Sequence, residues 1–200
     1  MEKTAIILTG GTSSRLGTDK GLLNFKGKPL TSWIIEAVKP HTEKIFVVCS
    51  KQQAQIYGAS LLDVNIIKDV YSEKSPIIGL ISGLRAAKSG YAFITACDMP
   101  FIKTNLVSFL FKQAEGKGGS IVVKPDGWIE PFLSVVKVSS TLTEAERLYR
   151  AGDFRIRMVM RNILDMNHIK TEVLKNIDPD LISLIDIDTM EQLIKVKKIN

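Results

Sequence analysis

From residue 4 to residue 115 the chain alternates short, uninterrupted apolar runs with segments of helical spacing, and nothing else in the sequence restricts the fold as much. Thr4–Thr9 and Ile45–Cys49 are too continuously apolar for strands with one wet face and predict buried strands, and Val64–Ile67 and Tyr91–Ala96 read as further strands. Between and after them lie helical segments: one beginning near Pro29 or Thr31, then Gln52–Tyr57, Ile77–Lys88 and Asn105–Glu115. In the third of these, Ile77, Leu80, Ile81 and Leu84 share a face. Strand–helix–strand order with right-handed crossovers predicts an α/β fold around a mostly parallel central sheet. After Gly116 the rhythm changes. Ser120–Val123 and Pro131–Val138 flank the turn signal Lys124-Pro125-Asp126-Gly127. Basic helical segments follow at Leu142–Tyr149 and Arg155–Ile163, then a strand near Leu184–Ile187 and a closing helix from Thr189. With no repeat, low-complexity tract or linker, the expectation is one domain over residues 1–200, its halves meeting at 116/117.

The apolar runs are far too short to cross a bilayer, and Met1-Glu2-Lys3-Thr4 leads straight into the first strand, which predicts no signal peptide. Cys49 and Cys97 stand on apolar stretches without CxxC spacing, which excludes a disulfide framework and suits a reducing cytoplasm. A formal net charge of +6 raises the question of nucleic acid. The excess sits in two confined places, Arg15 to Lys28 and Arg147 to Arg161, and the rest of the chain is nearly neutral. Basic residues strung along a face with aromatics interleaved would mark a nucleic-acid surface; two loci suit small phosphorylated ligands, so neither nucleic acid nor membrane is expected as a partner.

The first locus is Leu8-Thr9-Gly10-Gly11-Thr12-Ser13-Ser14-Arg15-Leu16-Gly17-Thr18-Asp19-Lys20. Glycines after a buried strand let backbone approach a phosphate, successive N–H groups can surround an anion, and Arg15 and Lys20 can neutralise it. The spacing fits neither G-x-G-x-x-G nor G-x-x-x-x-G-K-[ST]: six residues separate Gly10 from Gly17, and Lys20 comes three residues after it. The second motif is Ala96-Cys97-Asp98-Met99-Pro100, a carboxylate at a strand's carboxyl end, where open α/β sheets bind ligands. Such an aspartate is a magnesium ligand or, equally, a turn former. The third is Lys68-Asp69 followed by Ser75-Pro76-Ile77-Ile78-Gly79.

Leu8-Thr9-Gly10-Gly11-x-x-x-Arg15-Leu16-Gly17-x-Asp19-Lys20-x-Leu22-Leu23, with Gly27-Lys28-Pro29-Leu30 after it, resembles the signature of nucleotidyltransferases with a three-layer Rossmann-like fold. Within them it most resembles the MobA family, the molybdenum cofactor guanylyltransferases. The resemblance implies transfer of GMP from Mg-GTP to the terminal phosphate of molybdopterin or Mo-molybdopterin, with molybdoenzymes or their chaperones downstream. It implies catalytic roles for Arg15, Lys20 and Asp98, with Mg²⁺ on Asp98. It also implies a nucleotide site built from Leu8, Thr9, Gly10, Gly11, Lys20, Asp69 and Asp98. Three departures stand out. Ser75 and Ile78 replace small residues of the family's turn, Ser50 stands near an asparagine's place, and Asp186-Ile187-Asp188-Thr189-Met190-Glu191 replaces Asn-x-Asn-Thr-Pro-Glu. Asp188 reads first as a helix N-cap and second as a further metal contact. Trp128, Arg155 and Arg157 lie in the family's acceptor region, where the ring could stack on a pterin and the arginines could hold its phosphate; packing and a solvated basic face explain them equally well. His41 and His168 are isolated. Other readings stay open: cytidylyl transfer, a sugar-phosphate acceptor, or a nucleotide-binding protein without catalysis.

Overall fold

A computed structural model describes residues 2–9, 19–73, 75–189 and 192. The strands are β1 (Lys3–Leu8), β2 (Asn24–Phe25), β3 (Lys28–Pro29), β4 (Lys44–Cys49), β5 (Asn65–Lys68), β6 (Tyr91–Ala96), β7 (Gly119–Val123), β8 (Ile129–Lys137) and β9 (Met166–Lys170). The α-helices are α1 (Leu30–Val38), α2 (Ala54–Ser60), α3 (Pro76–Ala87), α4 (Thr104–Ala114), α5 (Val138–Arg150), α6 (Ile156–Asn162) and α7 (Thr171–Leu174). Seven strands form one sheet in the order β5-β4-β1-β6-β8-β7-β9, and β2 pairs with β3 in a small antiparallel ribbon. Within the large sheet β8 alone runs against the others.

The continuous apolar runs are explained by burial on both faces. Ala5 and Ile7 of β1, Ile45, Val47 and Cys49 of β4, and Phe93 of β6 point to one side. There they meet Ile34, Ile35 and Val38 of α1, Tyr57 of α2, and Leu106, Leu110 and Phe111 of α4. Ile6 and Leu8, Phe46 and Val48, and Ala92 and Ile94 point to the other, against α3, α5 and α6. The chain steps from β1 to β4 to β5 and then crosses back over the sheet through α3 to reach β6 on the far side of β1. That crossover is tight: a Cβ at Gly83 would lie 2.5 Å from Ile6 Cγ2 and 3.2 Å from Val48 Cγ2.

One expected strand is absent. Leu184–Ile187 pairs with no strand; Ile182–Leu184 is a 3-10 turn, and Ile187 buries against Phe25 and Leu30 in a small third cluster. The outer edge of β7 is taken instead by β9, in parallel register from Gly119↔Met166 to Val123↔Lys170. The closing helix expected from Thr189 lies outside the described residues except for Thr189 and Gln192.

The parallel strands bring their carboxyl ends to one edge of the sheet. Because β8 is reversed, its first residues and the hairpin before it, 124–128, lie along the same edge. The turn after α5 is joined to that edge by the Ser75 hydroxyl, which donates to the Phe154 carbonyl at 3.2 Å.

Candidate active site

Asp98 follows β6 by two residues, and its carbonyl accepts from the Ile187 N–H at 2.8 Å, so the segment after the 3-10 turn is laced to the end of β6. This lacing brings Asp188 within 2.5 Å of Lys20 Nζ, through its Oδ1. Asp98 Oδ2 lies 3.4 Å from the same ammonium. Burial lifts the Asp98 carboxyl above the ordinary carboxylate range, Lys20 pulls it down and Asp186 adds a push upward. For Lys20, desolvation pulls the ammonium down, but the hydrogen bond it donates to Asp188 and the charges of both aspartates outweigh it, and the net shift is upward. A cation held between two carboxylates at a sheet's carboxyl edge is a ready partner for phosphate oxygens, which would compete for it once bound.

Asp69 follows β5, and its N–H donates to the Cys49 carbonyl at 2.9 Å. Its Oδ1 is buried with no partner among the described residues, beside Gly79 on the first turns of α3. Burial alone raises its pKa. A buried carboxylate oxygen without a donor marks a place where a ligand N–H or O–H would be favoured. The Ser82 hydroxyl donates to the Ile78 carbonyl at 2.7 Å and accepts from the Val70 N–H at 3.0 Å, tying the loop after Asp69 to α3.

Thr9 and Leu8 form the floor of the site. The Thr9 hydroxyl and N–H both donate to the Val48 carbonyl, at 2.8 and 3.0 Å, and the Leu8 carbonyl accepts from Cys97 N–H at 3.0 Å. These groups are committed to the sheet, so the two residues shape the wall while their neighbours supply the ligand groups. Gly10, Gly11 and Arg15 lie outside the described residues. The described site therefore unites Thr9, Lys20, Asp69 and Asp98 at one edge.

Ser50 does not stand in for a ligand-binding asparagine. Its hydroxyl donates to Gln53 Oε1 at 2.7 Å, and its N–H donates to the same atom at 3.1 Å. Asp188 is likewise not the N-cap expected of it. Thr189 takes that place, with Gln192 Oε1 accepting from Thr189 N–H at 2.8 Å and the Gln192 N–H donating to Thr189 Oγ1 at 3.2 Å. The Thr189-x-x-Gln192 spacing is a capping-box signal, and it frees the Asp188 side chain for Lys20. Cys97 is buried with its thiol pushed well above its ordinary pKa by desolvation, which removes it as a nucleophile.

In the hairpin before β8, Gly127 at φ +80° closes the 124–128 turn and Trp128 stands half-exposed. The Arg157 guanidinium lies 3.2 Å from the Trp128 ring centroid, and its Nε is buried without a partner among the described residues. Arg155 is instead held by Asp153 through two side-chain hydrogen bonds of 2.9 and 2.6 Å. The two arginines thus differ: Arg157 backs one face of Trp128, while Arg155 is engaged within its own loop.

Among the described residues no three His, Cys, Asp or Glu side chains gather as a metal cage. Asp98 still fits a divalent cation, because it offers a hard, desolvated carboxylate where substrate phosphates and water could complete the shell. Among the same residues, no helix is long and apolar enough to cross a membrane.

Residues 5–169 match the MobA-like NTP transferase domain. A molybdenum cofactor guanylyltransferase of Pseudomonas putida is 30% identical over 152 residues, 74% of this chain and 76% of that protein. A probable molybdenum cofactor guanylyltransferase of Haloferax mediterranei is 29% identical over 175 residues, 84% of this chain and 83% of its own. The crystal structure of molybdopterin-guanine dinucleotide biosynthesis protein A from Archaeoglobus fulgidus superposes with a TM-score of 0.82 at 28% identity, covering 98% of this chain and 97% of that one.

Proposed function

Since the chain belongs to the MobA-like NTP transferase family and is a nucleotidyltransferase, we propose that it transfers GMP from GTP to the terminal phosphate of molybdopterin. An oxygen of the acceptor phosphate attacks the α-phosphorus in line, the bond to the β-phosphate oxygen breaks, and pyrophosphate leaves. No covalent enzyme intermediate is needed, so positioning and electrostatics carry the rate. The observation that supports this most is the Lys20 ammonium set between Asp98 and Asp188 at the edge where the strands end.

In this reading residues 1–116 bind the nucleotide and residues 117–200 the acceptor. Lys20 exchanges its carboxylate partners for α-phosphate oxygens and stabilises the charge that develops there. Asp69 accepts from the nucleotide's donors with its unpartnered Oδ1. Asp98 would hold the divalent cation, magnesium here, whose chemistry is to neutralise and orient the phosphates. Arg15 neutralises the departing pyrophosphate, and Gly10 and Gly11 let backbone approach the nucleotide. Trp128, backed by Arg157, offers its outer face to the flat pterin. The product's recipients would be molybdoenzymes or their chaperones. Cys49 and Cys97, both buried and unpaired, suit a cytoplasmic setting.

The test is divalent-cation-dependent pyrophosphate release with freshly generated molybdopterin and each of the four nucleoside triphosphates in turn. Release with GTP alone is expected. Release with CTP instead would correct the base, and silence with all four would overturn the assignment.

A further inference from the structure

We infer that Tyr57 and Gln53 are positioning residues for Lys20: from α2 and the turn before it they hold the Asp19 carboxylate, and through it the turn on which Lys20 stands. The inference rests on the role of Lys20 just proposed. A lysine head is placed only as well as its Cα, because four flexible bonds separate the two. The Lys20 backbone begins a 3-10 turn, Lys20–Leu22, capped by Asp19, whose Oδ1 accepts from the Gly21 N–H at 3.1 Å. The same Oδ1 accepts from Tyr57 Oη at 2.5 Å, and Oδ2 accepts from Gln53 Nε2. Three donors, one from the turn itself and two from α2 and its N-terminal turn, thus meet on the carboxylate that immediately precedes Lys20.

Each donor is fixed in turn. Gln53 has no freedom to flip its amide, because Oε1 already accepts from the Ser50 N–H and hydroxyl, which aims Nε2 at Asp19. The Tyr57 side chain is fully buried among Ile34, Val47 and Cys97. Its phenol titrates far above the ordinary range, chiefly through desolvation, so it remains a donor. On the far side of the turn, the Thr31 hydroxyl of α1 donates to the Gly21 carbonyl at 2.8 Å. A Cβ at Gly21 would lie 2.3 Å from Tyr57 Oη and 2.7 Å from Thr31 Oγ1, so the turn is closed on both sides. Lys20 leaves this clamp in one direction, toward Asp98 and Asp188. The departure at Ser50 acquires a use: it orients Gln53, and so ties the end of β4 to the placement of Lys20.

The test uses the full-length chain with Tyr57→Phe, Asp19→Asn and the double variant Asp19→Asn/Gln53→Glu. Tyr57→Phe keeps the ring in its slot and deletes one donor; kcat should fall about tenfold with the KM for nucleoside triphosphate within about twofold. Asp19→Asn turns its amide donor toward the Gln53 donor and should cost more, about thirtyfold in kcat. Adding Gln53→Glu restores a donor–acceptor pair at unchanged net charge, and turnover should recover to within about threefold of the parent. A second readout needs no substrate: acylation of Lys20 by an amine-reactive ester, followed by peptide mass, should rise several-fold in the two single variants and fall back in the double variant. Single variants with parental kcat and labelling would overturn the inference, as would an unrescued double variant. If the parent itself releases no pyrophosphate, the nucleotidyl-transfer reading fails, and the Lys20 labelling pattern still decides for or against the clamp.

Discussion

Lys20 and Asp98 depend on each other in opposite ways before and after substrate binds. Without substrate their attraction offsets the cost of burying the carboxylate; in the proposed reaction each would be needed for phosphate charge. Lys20→Ala or Asp98→Asn should therefore lower turnover about a hundredfold, about 3 kcal/mol of transition-state stabilisation, and near-parental pyrophosphate release in either would contradict the roles assigned. Because burial lifts the Asp98 carboxyl in the metal-free chain, cation binding there would displace a proton, and the affinity for the divalent cation should begin to fall at a higher pH than an unperturbed carboxylate would give. Asp69 supports a separate stability prediction. Burial raises its pKa in the folded chain, so the native state binds the proton more tightly than the unfolded one, and stability falls as pH rises from the ordinary value through the raised one. Asp69→Asn should flatten that slope and, at neutral pH, gain about 1 kcal/mol, while raising the KM for GTP. Melting curves of parent and variant at pH 4 and pH 7 measure the first effect, and an Asp69→Asn melting point below the parent's at pH 7 would refute it. At this scale the sequence yielded Lys20, Asp69 and Asp98, since each follows a glycine-rich loop or a buried strand. Tyr57 and Gln53 carried no signal: nothing local marks a tyrosine and an amide whose partner is 38 and 34 positions away.

The strands easiest to read are those buried on both faces, for which near-continuous apolar sequence is itself the evidence; β5 is legible too, although it lies at an edge with its residues half-buried or exposed. β9 escaped notice for the converse reason. Met166-Asn167-His168-Ile169-Lys170 is an edge strand with only Ile169 buried, and such an alternation looks like a loop. Leu184–Ile187 misled because an apolar run does not say what covers it: Ile187 fills a pocket against Phe25 and Leu30 without joining the sheet. Close approach between elements is also invisible in the chain. Gly83 allows α3 to lie against β1 and β4, and Gly83→Ala would drive a methyl into Ile6 Cγ2. The expected cost is about 1–3 kcal/mol in denaturant unfolding, with the KM for GTP little changed if α3 stays in register. A variant as stable as the parent would show that the helix can move away freely.

Across the whole molecule, the proposed reaction asks one sheet edge to serve two substrates, and the reversed strand would make room for both. Had β8 run parallel to β6, the 124–128 hairpin would lie at the opposite edge, far from Lys20 and Asp98. With β8 antiparallel, Trp128 stands on the same edge as the nucleotide residues but is carried by different strands. Chemistry on the two sides should therefore separate in kinetics. Arg157 already occupies one face of the Trp128 ring, so an acceptor ring can stack only on the other. Trp128→Ala removes the platform, and Arg157→Ala removes the cation that polarises it. Each should raise the KM for molybdopterin about tenfold, about 1.4 kcal/mol, and leave the KM for GTP within about twofold. Steady-state rates with each substrate varied at saturation of the other measure both constants. A rise in the GTP constant instead would place Trp128 against the nucleotide and reverse the assignment of the two halves. No change in either would leave the pair as packing alone, with the acceptor held nearer Asp98 than this hairpin reaches.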